Sequence, residues 1–263
     1  SADMTAVLWD VASGRQVRTF QLANRADIVA FSPDGKLALI APGYGGAPQV
    51  FDLQTGEEVF RLDEDNTVRG VAFSPDGDSI VTGSGGTVSV WDVQTHTRRQ
   101  QFSVPEGGLL DMALAPDGKT IATASVAPQG IHIRSWDVTS GRQLREFDDP
   151  APVNSVAFSP DGQYLLSGGR DNVARLWEVA SGQLVRTYVG HTFWIWGVGF
   201  SPDGKYVLTA SQDRTARLWD AATGKQLRLF PSHANAAIAS SIFTPDGRSV
   251  VIGSFDGVAQ QTP

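Results

Sequence analysis

The chain contains no cysteine. Disulfides, thiol nucleophiles and thiolate metal ligands are therefore excluded. No apolar run approaches the ~18 residues of a membrane helix, and no signal-peptide pattern is visible. A cytoplasmic protein without membrane insertion is expected. Positive charge is scarce: 21 Lys and Arg face 28 Asp and Glu, for a net charge of −7. A general nucleic-acid binder shows a basic face or stripe, so nucleic acid is not an expected partner. No segment holds a helical period over 11 residues. An initiator Met is also missing, as expected of a processed or trimmed piece of something longer.

What is present is repetition. Hydrophobic residues make up 41% and charged residues 19% of the 263, a globular composition with room for one large all-β domain or two ordinary ones. A "PDG" turn recurs as "FSPDG" at Phe31, Phe73, Phe158 and Phe200, "LAPDG" at Leu114 and "FTPDG" at Phe243, in steps of 42, 41, 44, 42 and 43 residues. A second mark keeps the same period: Trp9-Asp10, Phe51-Asp52, Trp91-Asp92, Trp136-Asp137, Trp177-Glu178 and Trp219-Asp220. Seven of ten positions agree between the opening "SADMTAVLWD" and "SQDRTARLWD" at 211–220.

Each unit reads as four short strands. An apolar first strand such as "SVAF" runs into "SPDG". There Pro presets φ, Asp bonds nearby backbone and Gly takes the left-handed position. A second strand such as "YLLSGG" follows, then a polar turn holding Asp171 or Asp213. A third strand ends in Trp-Asp, and a turn with Gly14, Gly56, Gly141, Gly182 or Gly224 leads to a fourth. Short strands at this spacing predict a closed all-β form. Four strands per ~40–45 residues predict a propeller blade.

These residues resemble the WD repeats of the β-transducin-like propellers, over essentially the whole chain. One unit, "GHTFWIWGVGFSPDGKYVLTASQDRTARLWD", holds the Gly-His start and the Trp-Asp end together, and the wording of the units is similar to the bacterial branch. The resemblance implies a single β-propeller domain over 1–263. Residues 1–20 supply a third and a fourth strand and the last unit a first and a second, so the ends are expected to share one composite blade, six in all. A seven-bladed ring lacking a blade's worth of chain is the alternative.

His191, Asp213 and Thr209 or Ser211 look like parts of a hydrolytic triad. The resemblance instead places His191, Asp213, Thr209 and Trp219 in a hydrogen-bonded structural network. Other units have lost pieces of it: Gly85 and Gly130 stand at the Asp position and Asp149 at the His position. No catalytic residue, cofactor or metal site is expected. His96, His132, His191 and His233 show no paired spacing, the glycine clusters at 43–46 and 83–86 precede no helix, and the acidic run Asp63–Asp65 reads as a solvated loop.

The run Phe193, Trp194, Trp196 lies just before a first strand. Ile195, Val198 and Phe200 fill its core positions, which leaves Trp194 and Trp196 as extra aromatic bulk, packed on a neighbouring loop or exposed as anchors. In the family the residue four before the "FSPDG" Phe faces the narrow opening. Carried over, this gives Asp27, Arg69, Leu110, Asn154, Trp196 and Ala239. Beside the turn Asp stand Ala2, Arg170, Gln212 and Phe255. Trp194, Trp196, Leu110, Arg69, Arg170 and Asp27 are the expected partner-binding residues.

The expected function is a non-catalytic scaffold for a protein or peptide, as a module or subunit of a larger assembly, with no small-molecule substrate. The alternatives are a small-ligand or enzymatic propeller with a central-channel site, and a sensor domain of a regulatory protein.

Overall fold

In the computed structural model the described residues are all but 1–3, 11–12, 43–44, 65–66, 106–107, 128–129, 233–235, 255–258 and 263. The architecture is the expected all-β one, built of antiparallel propeller blades. The five complete sheets run Ile28–Phe31 to Glu58–Arg61, Val68–Phe73 to Arg98–Ser103, Leu109–Leu114 to Gln143–Phe147, Val153–Phe158 to Leu184–Val189, and Ile195–Phe200 to Gln226–Pro231. In each, the four strands pair in chain order. The "SPDG" turns form as their chemistry dictates. In the fifth sheet, Ser201 Oγ donates to Asp203 Oδ1 (2.7 Å), the Lys205 N–H donates to the same oxygen (3.1 Å), and Gly204 holds φ at +71°. Hydrogen bonds from Ser201 and Lys205 pull the Asp203 carboxyl down to about 2.

The chain divides into residues 1–109 and 110–263. Within the second unit, the first strand Val153–Phe158 packs beside Ile195–Phe200, and that strand beside Ile238–Phe243. The core lies in layers between successive sheets. Leu165 joins Ala122, Ile133, Phe147 and Trp177 in one layer, while its neighbour Leu166 joins Tyr188, Ile195 and Trp219 in the next. Successive strand residues point to opposite faces and both faces are covered. The second strands therefore read as unbroken apolar runs rather than alternations.

The chain ends differ from expectation. Ala259–Thr262 pairs with Val250–Ser254 in a three-stranded sheet, Val250 opposite Thr262, the register in which Val207 faces Trp219 one repeat earlier. The last repeat thus supplies its own third strand rather than leaving that place to residues 1–20. A strand ladder uses backbone groups alone, so Thr in place of Trp does not prevent it. In the first unit, among the described residues, Thr5–Asp10 pairs only with Arg15–Gln21, and Trp9 is 56% exposed where Trp91, Trp136, Trp177 and Trp219 are buried.

Neighbouring blades are also clasped. Arg18 donates to the carbonyls of Gln54 and Thr55, Arg145 to Ser181 and Arg186 to Ala221. Each arginine is on a fourth strand and each acceptor is in the third-to-fourth turn of the next repeat. A Cβ on Gly182 or Gly224, both with φ near +75°, would lie 2.7 or 2.9 Å from the Arg145 or Arg186 side chain. Gly224→Ala is expected to cost about 1–3 kcal/mol, the range for a non-glycine residue held in the left-handed region, with the arginine contact displaced as well. Urea titration of the variant checks this.

Candidate functional site

The His191 network is assembled in the fifth sheet. His191 sits on the segment entering the first strand, Thr209 on the second, Asp213 in the turn after it and Trp219 on the third. His191 Nδ1 lies 2.8 Å from Asp213 Oδ2 and Nε2 lies 2.7 Å from Thr209 Oγ1; Trp219 Nε1 donates to that same hydroxyl at 2.9 Å. With His191 donating from Nδ1, one directed chain results. The indole N–H donates to Thr209, Thr209 to His191 and His191 to Asp213. Burial works to raise the Asp213 pKa, but hydrogen bonds from His191, Thr215 and the Thr192 N–H together hold it well below 3.8.

The order hydroxyl, imidazole, carboxylate is that of a nucleophile, base and orienting acid. The chemistry is blocked by access. Thr209 has no exposed surface, and its oxygen already accepts the indole N–H. The same hydroxyl–indole pair recurs where no imidazole stands beside it. Thr82 accepts from Trp91 and donates to Glu64 Oε1 (2.6 Å). Ser167 accepts from Trp177 and donates to Asp149 Oδ2 (2.8 Å). A group that closes an inter-strand network needs only to accept that hydroxyl, and carboxylate or imidazole both do so.

Glu64 was missed as a network member. Its acidic neighbourhood reads as a solvated loop, yet Glu64 is only 6% exposed; Asp65 lies outside the described residues. The available signal is spacing: Glu64, Asp149 and His191 each stand 18 residues before the hydroxyl they bind. Asp149 carries a further consequence. Its side chain is 1% exposed and meets Arg175 Nη1 at 3.1 Å, while Arg175 also pairs with Asp171. Burial is the largest influence on Asp149 and raises its pKa against the lowering effects of Ser167 and Arg175.

His191→Ala is expected to cost about 1–3 kcal/mol, the penalty for leaving a buried polar group unpaired, since the Thr209 proton loses its acceptor and Asp213 Oδ2 keeps only the Thr192 N–H of its hydrogen-bond donors. Chemical denaturation of the variant checks the magnitude.

The aromatic run is held from behind. Ser211 Oγ donates to the Phe193 carbonyl (2.9 Å), the Gln212 N–H to that of Trp194 (2.9 Å) and Asn154 Nδ2 to that of Ile195 (3.0 Å). Three consecutive carbonyls are thus fixed by three different anchors. The Trp194 ring lies 5.7 Å from Phe193 and 6.0 Å from Trp196, centroid to centroid, the latter edge-on. Arg170 Cζ stands 5.0 Å from the Trp194 centroid, and Arg170 Nε donates to Asn154 Oδ1 at 3.2 Å. Trp194 and Trp196 are half-buried and Phe193 is 45% exposed. Packing and exposure coexist in this run.

Of the six expected partner-binding residues, the structure brings Trp194, Trp196 and Arg170 together. Leu110 is half-buried and packs on the layer of Ala122, Ile133 and Val153. Its neighbour Asp111 accepts the N–H of Met112 and, across to the next first strand, that of Val156 at 2.9 Å; burial pushes its carboxyl up to about 6. Arg69 and Asp27 belong to the first unit. Arg69 is exposed, and Asp27 meets Arg25 at 3.0 Å. Ala2, His233 and Phe255 lie outside the described residues. Phe193, named in the aromatic run, and Asn154, named at a narrow-opening position, were left out of the expected partner-binding set, yet both belong to the cluster. Asn154 stood at the right repeat position, but its acceptor, the Ile195 carbonyl, is a repeat away.

A model of the family described as "WD domain, G-beta repeat" matches residues 56–92, 141–178, 182–220 and 224–260, more than half of the chain. Among curated proteins, the serine-threonine kinase receptor-associated protein of Rattus norvegicus is 27% identical over 193 residues, covering 73% of this chain and 53% of that protein. Apoptotic protease-activating factor 1 of the same species is 30% identical over 158 residues, 60% of this chain and 12% of that protein. The U3 small nucleolar RNA-associated protein 15 homolog of Xenopus laevis is 25% identical over 188 residues, 67% of this chain and 34% of that protein. The chain spans about half the length of the first of these relatives. All three are vertebrate proteins and lend no support to the bacterial affinity of the repeats. Among the described residues no helix is long and apolar enough to cross a membrane.

Proposed function

As this chain belongs to the WD-repeat family, we propose that it is a non-catalytic scaffold that binds a protein or peptide, with the partner site at Trp194, Trp196 and Arg170. One observation carries the placement. The backbone of 193–195 is pinned at three carbonyls, and the rings it bears remain partly open to solvent. Aromatic and Arg side chains dominate interface hot spots, and rings already held in place lose little freedom on binding. The buried hydroxyl of Thr209 supports the non-catalytic reading. Two relatives are named for association, one with a receptor and one with a nucleolar RNA. The low positive charge favours the protein partner here.

Truncating a true anchor commonly costs ~2 kcal/mol or more, so Trp194→Ala and Trp196→Ala are each expected to weaken partner binding at least ~10-fold. The test is affinity capture from the native source with the wild-type chain and Trp194→Ala side by side, scored by quantitative mass spectrometry. Proteins retained by the wild type and lost from a folded variant support the site. An identical set on both refutes it.

A further inference from the structure

Arg170 is held in place yet lacks a carboxylate. Its Nε is committed to Asn154 and its Cζ stands over the Trp194 ring. Among the described residues no ion pair engages it; the adjacent Asp171 is taken by Arg175, and Asp213, at the equivalent turn of the next repeat, by His191. The terminal nitrogens of a planar, always-charged fork are thereby left on an exposed residue, with Phe193 and Trp194 as apolar surface beside it. We propose that Arg170 and Trp194 receive a single carboxylate borne next to an apolar side chain on an extended peptide segment.

This inference rests on the reading that the Trp194 rim is the partner face, and it names that partner's chemistry. The guanidinium fork matches a carboxylate through two parallel N–H···O bonds. The contact with the Trp194 ring and the Asn154 bond have already removed much of the side-chain freedom that binding would otherwise cost. The carboxylate would dock on the Nη edge, and the adjacent apolar group against the exposed Phe193 ring. Charge complementarity selects peptide over nucleic acid. A nucleic acid is held through several phosphate contacts along a basic surface. This chain carries net charge −7, and the cluster offers one ordered cation.

The test is panning of a phage-displayed random dodecapeptide library on the immobilised chain, with Arg170→Gln and Trp194→Ala in parallel and folding of each variant checked by its melting curve. Selected peptides are expected to share an Asp or Glu at a fixed offset from an apolar residue. A synthetic copy of the best one should bind the wild type, lose at least ~10-fold on Arg170→Gln, and lose about as much when its own acid is changed to the amide. Combining the two changes should add little, which identifies them as one contact. Arg170→Lys, which keeps charge without the fork, should recover only part of the loss and also serves if the Gln variant fails to fold. Selected peptides without an acidic consensus that still lose binding to Trp194→Ala would overturn the carboxylate and leave the rim standing. Peptides that bind wild type and both variants alike, or no enrichment at all, would overturn the rim and the carboxylate together. A twelve-residue oligouridine bound more tightly than any selected peptide would overturn the choice of peptide.

Discussion

Arg175→Met is expected to destabilise the chain by about 3–5 kcal/mol at pH 7, the usual result of removing one partner from a buried ion pair. The arginine side chain is 9% exposed and bridges Asp149 and Asp171. Met fills similar volume, so the loss reports the stranded Asp149 charge rather than a cavity. The dependence on pH follows from the raised Asp149 pKa. A folded carboxyl with a raised pKa binds its proton before the unfolded one does, so its charge costs stability at neutral pH and that cost is relieved on acidification. Without Arg175 the folded value rises further. The deficit of the variant should therefore shrink as pH falls through that value and level off below the wild-type one. Asp111, raised to about 6 by burial, adds a pH dependence of the same sign to both proteins and cancels in their difference. Adding Asp149→Asn to Arg175→Met should restore much of the loss at pH 7. Equilibrium denaturation from pH 4 to 8 checks all of this; a deficit constant with pH would remove Asp149 from the account.

Trp219→Ala should cost about 3–5 kcal/mol, the range for truncating a large buried aromatic. Trp219 is among the largest fully buried side chains, packs with Tyr188 and Ile195 in the layer between the fourth and fifth sheets, and supplies the N–H that Thr209 accepts. Removing it opens a cavity and strips one bond from the His191 chain. Trp194→Ala removes a half-exposed ring and should cost markedly less. Thermal and urea unfolding of the two variants under one set of conditions measures the contrast. Equal losses would mean that Trp194 is a core residue.

The repeat and its turns were legible in the sequence because each PDG and each Trp-Asp turn is built from local chemistry. Ser, Asp and Gly act on backbone two to five residues away, so every copy carries its own evidence. The His191 network was legible for the same reason, its members having fixed places in one repeat. Three features escaped. Glu64 sits in an acidic stretch whose composition looks solvated, and only its distance from Thr82 betrays it. The arginine clasps join one repeat to the next, so neither partner alone signals the contact. The strand Ala259–Thr262 lacks the Trp-Asp mark, yet pairing with Val250–Ser254 requires no particular side chain. The rim cluster was half visible. Trp194 and Trp196 stand out as surplus bulk, whereas Asn154 and the held fork of Arg170 emerge only once strands from neighbouring repeats lie side by side.

The most direct test of the scaffold reading is the hydrogen–deuterium exchange footprint of the chain with its captured partner. The account predicts slowed exchange at residues 192–197, 170–172 and 212–214, with the "SPDG" turns at 159–163 and 201–205 unchanged. Slowing confined to those turns, with residues 192–197 exchanging as in the free chain, would contradict it.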